Sequence, residues 1–115
     1  MNLARSFHCL LDRFGPARRL RIVAGDELPS SMPSRDIVLT RDDGAAWSVG
    51  MLCPCRCGAT IEMLVVEGAK PRWDIEVDDK GRPSLRPSVW RNTGCRSHFW
   101  VRSGRVVWCK SRTAS

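Results

Sequence analysis

The chain has 115 residues, six cysteines, a hydrophobic fraction of 43% and a net charge of +7. A chain of this length excludes a generous core: it buries about two thirds of its unfolded surface, and metals or disulfides often supplement cores at this scale. It also shows no run of about 18 apolar residues that would span a bilayer.

The opening MNLARSFHCLLDRFG is interrupted by Arg5, His8, Asp12 and Arg13, so it does not read as a signal peptide. A cytoplasmic protein with reduced thiols is therefore expected, which favours metal binding over disulfides for clustered cysteines. Leu3, Phe7, Leu10, Leu11 and Phe14 recur at helical spacing, and Gly15-Pro16 ends the pattern. This predicts an amphipathic basic helix over residues 2–14, with Cys9 as a small apolar residue and His8 exposed. A short strand is predicted over 20–23, and residues 25–35, rich in Pro, Ser and acids, read as a loop.

From there the texture is β. Strands are predicted over 37–39, 47–52, 60–66, 73–77, 84–90, 98–102 and 105–109. The turn signals Asp43-Gly44, Glu67-Gly68, Lys80-Gly81 and Ser103-Gly104 punctuate them. The expected fold is mostly β, a small antiparallel sheet or open barrel, with one N-terminal α-helix and zinc stabilisation. Residues 1–19 would be the helix and linker, 20–109 the Cys/His domain and 110–115 a basic tail.

Charge is uneven. Residues 80–115 hold nine Lys or Arg and no acid, whereas residues 62–79 hold six of the twelve acids. A basic half suits an anionic partner, either nucleic acid or an acidic protein surface. Five tryptophans make up most of the aromatic content. Trp100 and Trp108 lie with Arg102 and Arg105 in a predicted hairpin, so Arg96, Trp100, Arg102, Arg105 and Trp108 are the candidate partner-binding residues.

Two segments carry chemistry: CPCRCG at 53–58 and GCRSHFW at 94–100. Zn²⁺ takes tetrahedral sulfur and nitrogen ligands, commonly Cys₃His or Cys₄. The candidate metal ligands are Cys53, Cys55, Cys57, Cys95 and His98, the last two a Cys-x-x-His pair. Five candidates compete for four places, and Cys53 is the first to be left out. An iron–sulfur cluster is the alternative, although a Rieske centre needs two histidines where one is near. No ligand-plus-base motif or phosphate loop appears. Ser97 adjoins His98, but neighbours in sequence are not a nucleophile–base pair in space. A structural metal, one zinc per chain with no catalytic residues, is the expectation.

CPCRCG, Arg72-Trp73, SLRPSVW and GCRSHFWVRSGRVVW together resemble a small bacterial family described as domain of unknown function 6527. The likeness spans residues 20–109. It implies a metal-binding protein encoded near ubiquitin-like conjugation components, with Cys53, Cys55, Cys57, Cys95 and His98 as the site. Its partners would be an E1-like enzyme, an E2-like enzyme or a modifier. The chain departs from that pattern at Arg56, where the family has Gly, in its N-terminal helix, and at Cys109. The resulting expectation is a zinc-binding adaptor in a bacterial ubiquitin-like modification or defence system, and not an enzyme. A nucleic-acid-binding zinc module is the alternative, and an iron–sulfur or metal-dependent enzyme a second.

Overall fold

The computed structural model describes residues 16–91 and 94–109. Eight strands follow in chain order: β1 (Leu20–Ala24), β2 (Ile37–Asp42), β3 (Ala45–Leu52), β4 (Thr60–Leu64), β5 (Asp74–Val77), β6 (Pro83–Trp90), β7 (His98–Arg102) and β8 (Arg105–Trp108). They form two four-stranded sheets, ordered β1-β2-β3-β4 and β5-β6-β7-β8.

Local chemistry explains the hairpins. Asp43 and Gly44 adopt φ 56° and 82°, and Ser103 and Gly104 adopt φ 48° and 76°. Two successive positive φ values make the mirror-image turn whose twist matches that of paired strands. The longer β5–β6 turn is held by Asp78. Its carboxylate accepts from the Lys80 and Arg82 backbone N–H groups, both at 2.9 Å, and from Arg82 Nε at 2.7 Å.

The core lies between the sheets and follows strand alternation. In β4 Ile61 and Met63 point inward, and in β7 Phe99 and Val101 do. Ile37, Val49, Met51, Leu85 and Val89 complete its centre. Strands β2 and β3 are covered on both faces, because Ile37–Thr40 and Ser48–Met51 are buried throughout. Leu28 supplies part of that cover. A Cβ on Gly50 would sit 2.4 Å from Leu28 Cδ1, so the bare glycine is what lets Leu28 lie this close to the strand. The buried hydroxyls of Thr40 and Ser48 satisfy one another at 2.9 Å, and Ser48 N–H donates to Thr40 Oγ1 at 3.0 Å.

Three expectations change. The single sheet or open barrel is replaced by two sheets. The β1–β2 pair is parallel, not antiparallel, because the connection across residues 25–36 returns the chain in the same direction. The predicted helix over 2–14 lies outside the described residues. Every regular element among the described residues is a strand, so the fold described is all-β and not helix-plus-sheet. Among the described residues no helix is long and apolar enough to cross a membrane.

One irregularity positions the site. Leu85 pairs with Val101 and Val89 pairs with Phe99, so β6 advances four residues while β7 advances two. The extra length falls opposite Trp100, and irregularities of this kind re-aim side chains.

Candidate metal centre and serine–histidine pair

Cys53, Cys55 and Cys57 lie in the connection between β3 and β4, not within a strand. Cys53 N–H donates to the Ala59 carbonyl at 2.8 Å and Arg56 N–H to the Cys53 carbonyl at 3.0 Å, which closes a tight turn. Arg56 and Gly58 take φ 71° and 91°, left-handed values that curl the backbone around its sulfurs. Cys95 arrives from the β6–β7 connection, between Gly94 at φ 66° and Arg96 at φ 56°.

The four sulfurs all lie within 4.8 Å of one another. Cys53 Sγ is 3.4 Å from Cys55 Sγ and 3.5 Å from Cys95 Sγ. Four thiolates at about 2.3 Å from one tetrahedral ion would sit roughly 3.8 Å apart, so the group has the size and the soft donors of a one-metal site. Four charges on one divalent ion leave an excess of negative charge, and Arg91 is placed to offset it. Its Nη1 approaches Cys95 Sγ at 3.3 Å and Cys57 Sγ at 3.5 Å.

The thiols are not alike. Burial, reinforced by hydrogen bonds with its three cysteine neighbours, pushes Cys55 up to about 12. Burial would also raise Cys95, but hydrogen bonds from the Ser97 hydroxyl and backbone, then Cys55 and Cys53, outweigh it and bring that thiol to about 6. The Ala59 backbone N–H holds Cys57 below its usual range. Ser97, whose Oγ lies 3.0 Å from Cys95 Sγ, is thus a member of the cluster.

His98 is outside this group of converging ligand atoms. It opens β7 and faces outward, opposite in direction to the buried Ser97 and Phe99 on either side. Its Nε2 lies 2.9 Å from Ser88 Oγ. Its ring stacks on Trp90, with centroids 4.8 Å apart and planes 13° from parallel. Trp90 is the cross-strand partner of His98, and the β6 bulge brings Ser88 up beside them. Among the described residues no carboxylate pairs with His98, so the indole and not an acid fixes the ring plane.

The sequence reading missed Ser88. Adjacency in sequence offers only Ser97 as a hydroxyl near His98, and Ser97 turns inward to sulfur. The one available signal was that SLRPSVW and CRSHFW are predicted neighbouring strands with a serine near one end and a histidine near the other. Of the candidate partner-binding residues, Trp100 and Arg102 lie together outside, the guanidinium carbon 4.8 Å from the ring centroid. Arg105 is the cross-strand partner of Arg102, and Arg96 is exposed. Trp108 instead meets Phe99 edge-on at 5.5 Å and packs against the core.

On one side of the second sheet a serine hydroxyl lies on a histidine nitrogen, at the distance a nucleophile–base pair needs, and on the other four sulfurs converge closely enough to hold one soft metal ion. The family described as bacterial ubiquitination-like system serine protease (BubE) matches residues 24–109, and the chain belongs to that family. No curated protein and no solved structure matches the chain. The match corrects the resemblance to domain of unknown function 6527, and it overturns both the adaptor expectation and the expectation that the chain is not an enzyme. The expected ubiquitin-like context stands.

Proposed function

We propose that the chain is a serine peptidase of a bacterial ubiquitination-like system, with Ser88 as nucleophile, His98 as general base and acid, and a structural zinc on Cys53, Cys55, Cys57 and Cys95. The observation that carries the reading is the 2.9 Å contact between Ser88 Oγ and His98 Nε2, within the reach a base needs to accept a hydroxyl proton. The family's description as a serine protease supports it.

Ser88 Oγ attacks the carbonyl carbon of the scissile amide while its proton passes to His98 Nε2. The C–N bond then breaks, and His98 returns the proton to the departing amine. That leaves an ester on Ser88. Water attacks the ester, gives a proton to His98 and forms the carboxylic acid product; Ser88 recovers its proton as the C–O bond breaks. Stacking on Trp90 keeps the imidazole in plane through both half-reactions.

Zinc fits the cluster better than an iron–sulfur cluster does. Iron and sulfide interposed among the cysteines would spread their sulfurs wider than the 4.8 Å limit found here. When bound, the metal supplies a cross-link between the β3–β4 and β6–β7 connections. The second of these leads through Cys95 and Ser97 straight into His98, so the cluster anchors the strand that presents the base.

The test is cleavage of a ubiquitin-like protein extended at its C-terminus. Ser88→Ala should abolish cleavage with about one zinc per chain retained, while Ser97→Ala should still cleave. Full cleavage by Ser88→Ala would refute the assignment.

A further inference from the structure

The outer face of the second sheet carries more than the serine–histidine pair. A pocket of about 400 Å³ opens on the same sheet, lined by Glu76, Ser84, Arg86, Trp100 and Arg102 together with the buried Leu85 and Val101; Arg86 and Trp100 are two residues along β6 and β7 from Ser88 and His98. That is the lower range of small-ligand pockets, enough for a side chain or a chain end and too small for a folded surface. Trp100 is two residues beyond His98 on the same face of β7. Two residues of extended chain span roughly 6.8 Å, the advance a bound peptide strand also makes per two residues. A substrate lying along β7 with its scissile bond at Ser88 therefore places a residue close to that bond over Trp100.

Charge decides what that residue is. Glu76 is held by Arg86 in an ion pair, and Asp78 is held by Arg82 at 2.7 Å. These two acids are thus paired with neighbouring cations, and Asp79, the third acid here, is exposed in the β5–β6 turn and does not line the pocket. Arg102 has no carboxylate partner among the described residues. Its guanidinium lies 4.8 Å from the Trp100 ring centroid. Stacking leaves the edge N–H groups of an arginine free to engage a carboxylate in fork geometry. A basic substrate group would have to displace Arg86 from Glu76, whereas an acidic one meets a cation already positioned.

We infer that Trp100 and Arg102 form a specificity subsite for a carboxylate of the substrate, close to the scissile bond. This rests on the peptidase reading, because it takes Ser88 as the point from which substrate register is counted. The carboxylate is either an acidic side chain or the free C-terminus of the chain being cleaved; both present the same group to the same fork.

Binding to Ser88→Ala protein separates these possibilities without any turnover. Three fluorescein-labelled hexapeptides would be compared by anisotropy: one with a central Gln and a C-terminal amide, one with Glu in its place, and one with Gln and a free C-terminal carboxylate. One of the two acidic peptides should bind about tenfold more tightly than the neutral one, the scale of one charge-assisted hydrogen bond. Which of them does so identifies the source. Adding Arg102→Gln should erase the difference, Arg102→Lys should keep part of it, and Arg41→Gln, on a strand of the other sheet, should leave it intact. Equal binding of all three peptides, or a preference that survives Arg102→Gln with an unchanged melting temperature, overturns the subsite. If the preference holds while wild-type Ser88 stays inert to a fluorophosphonate, the peptidase reading falls and the carboxylate site stands.

Discussion

Ser97 and His98 are adjacent in the chain and serve opposite sides of the same sheet. Ser97 turns inward, 3.0 Å from Cys95 Sγ, and stabilises a thiolate. His98 turns outward, 2.9 Å from Ser88 Oγ on a face open to solvent. Ser97 ends the connection and His98 opens β7, so the start of the strand turns the two side chains to opposite faces. One short connection, from Cys95 to His98, thus carries the last sulfur of the cysteine cluster and the histidine of the proposed catalytic pair. Chemistry within one residue of sequence is thereby kept apart by the thickness of a sheet.

The largest effects are expected when each side is removed separately. His98→Ala should lower the rate of hydrolysis by about 10⁴-fold or more, as loss of a member of a serine–histidine unit does. It should leave zinc content and melting temperature close to wild type, measured by elemental analysis and calorimetry. Cys95→Ser should do the reverse first: metal is lost, several kcal/mol of stability go with it, and activity falls as a consequence. If His98→Ala loses its metal, the two faces are not independent.

A second test acts on the sulfurs alone. With the metal removed by chelation, the thiolate, not the thiol, reacts with iodoacetamide. Cys95, brought to about 6, is ionised at neutral pH, and its alkylation should slow as pH falls through about 6. Cys55, pushed up to about 12 by burial and its sulfur neighbours, stays protonated across the same range. Peptide mapping at pH 7 should find Cys95 modified roughly a hundredfold faster than Cys55, a conservative figure given those positions. Equal rates would contradict the asymmetry.

Trp90 sharpens the outer side. It is 64% exposed, so truncation to Ala should cost less than about 0.5 kcal/mol of stability. It should lower kcat about tenfold by releasing the imidazole plane, with Trp90→Phe restoring most of the loss. The smallest effect is on the inner side. Arg56 holds a left-handed φ of 71° in the cysteine turn, a strained position for a residue with a Cβ. Arg56→Gly should raise the melting temperature, with a gain of about 1 kcal/mol.

Much of this architecture is written locally and was legible. Asp43-Gly44 and Ser103-Gly104 announce their turns, and both appear as paired left-handed residues. The strand segments are visible as β-branched and aromatic runs. The cysteines were visible as a cluster because their residue type is itself the signal. Cys53, the sulfur judged most dispensable, nonetheless lies 3.4 Å from Cys55, since a turn rather than a strand carries the run.

What was not legible depends on pairing between distant segments. The parallel β1–β2 contact and the division into two sheets are non-local choices. So is the contact that matters most. Ser88 reaches His98 only because β6 bulges between Leu85 and Val89, and no residue in SLRPSVW states by itself which strand it will meet or in what register. The sequence groups His98 with the sulfurs for the same reason, whereas the ligand atoms that converge are those of the four cysteines. Cys-x-x-His spacing shows that two side chains are near in sequence, but the start of a strand between them decides which face each one takes.

The central claim, that Ser88 is a nucleophile activated by His98, is most directly tested by diisopropyl fluorophosphate and intact-mass analysis. A single adduct is expected, mapped to Ser88, absent from Ser88→Ala and strongly slowed in His98→Ala, with Ser97 unmodified. An unreacted wild-type protein, or an adduct that survives Ser88→Ala, would contradict it.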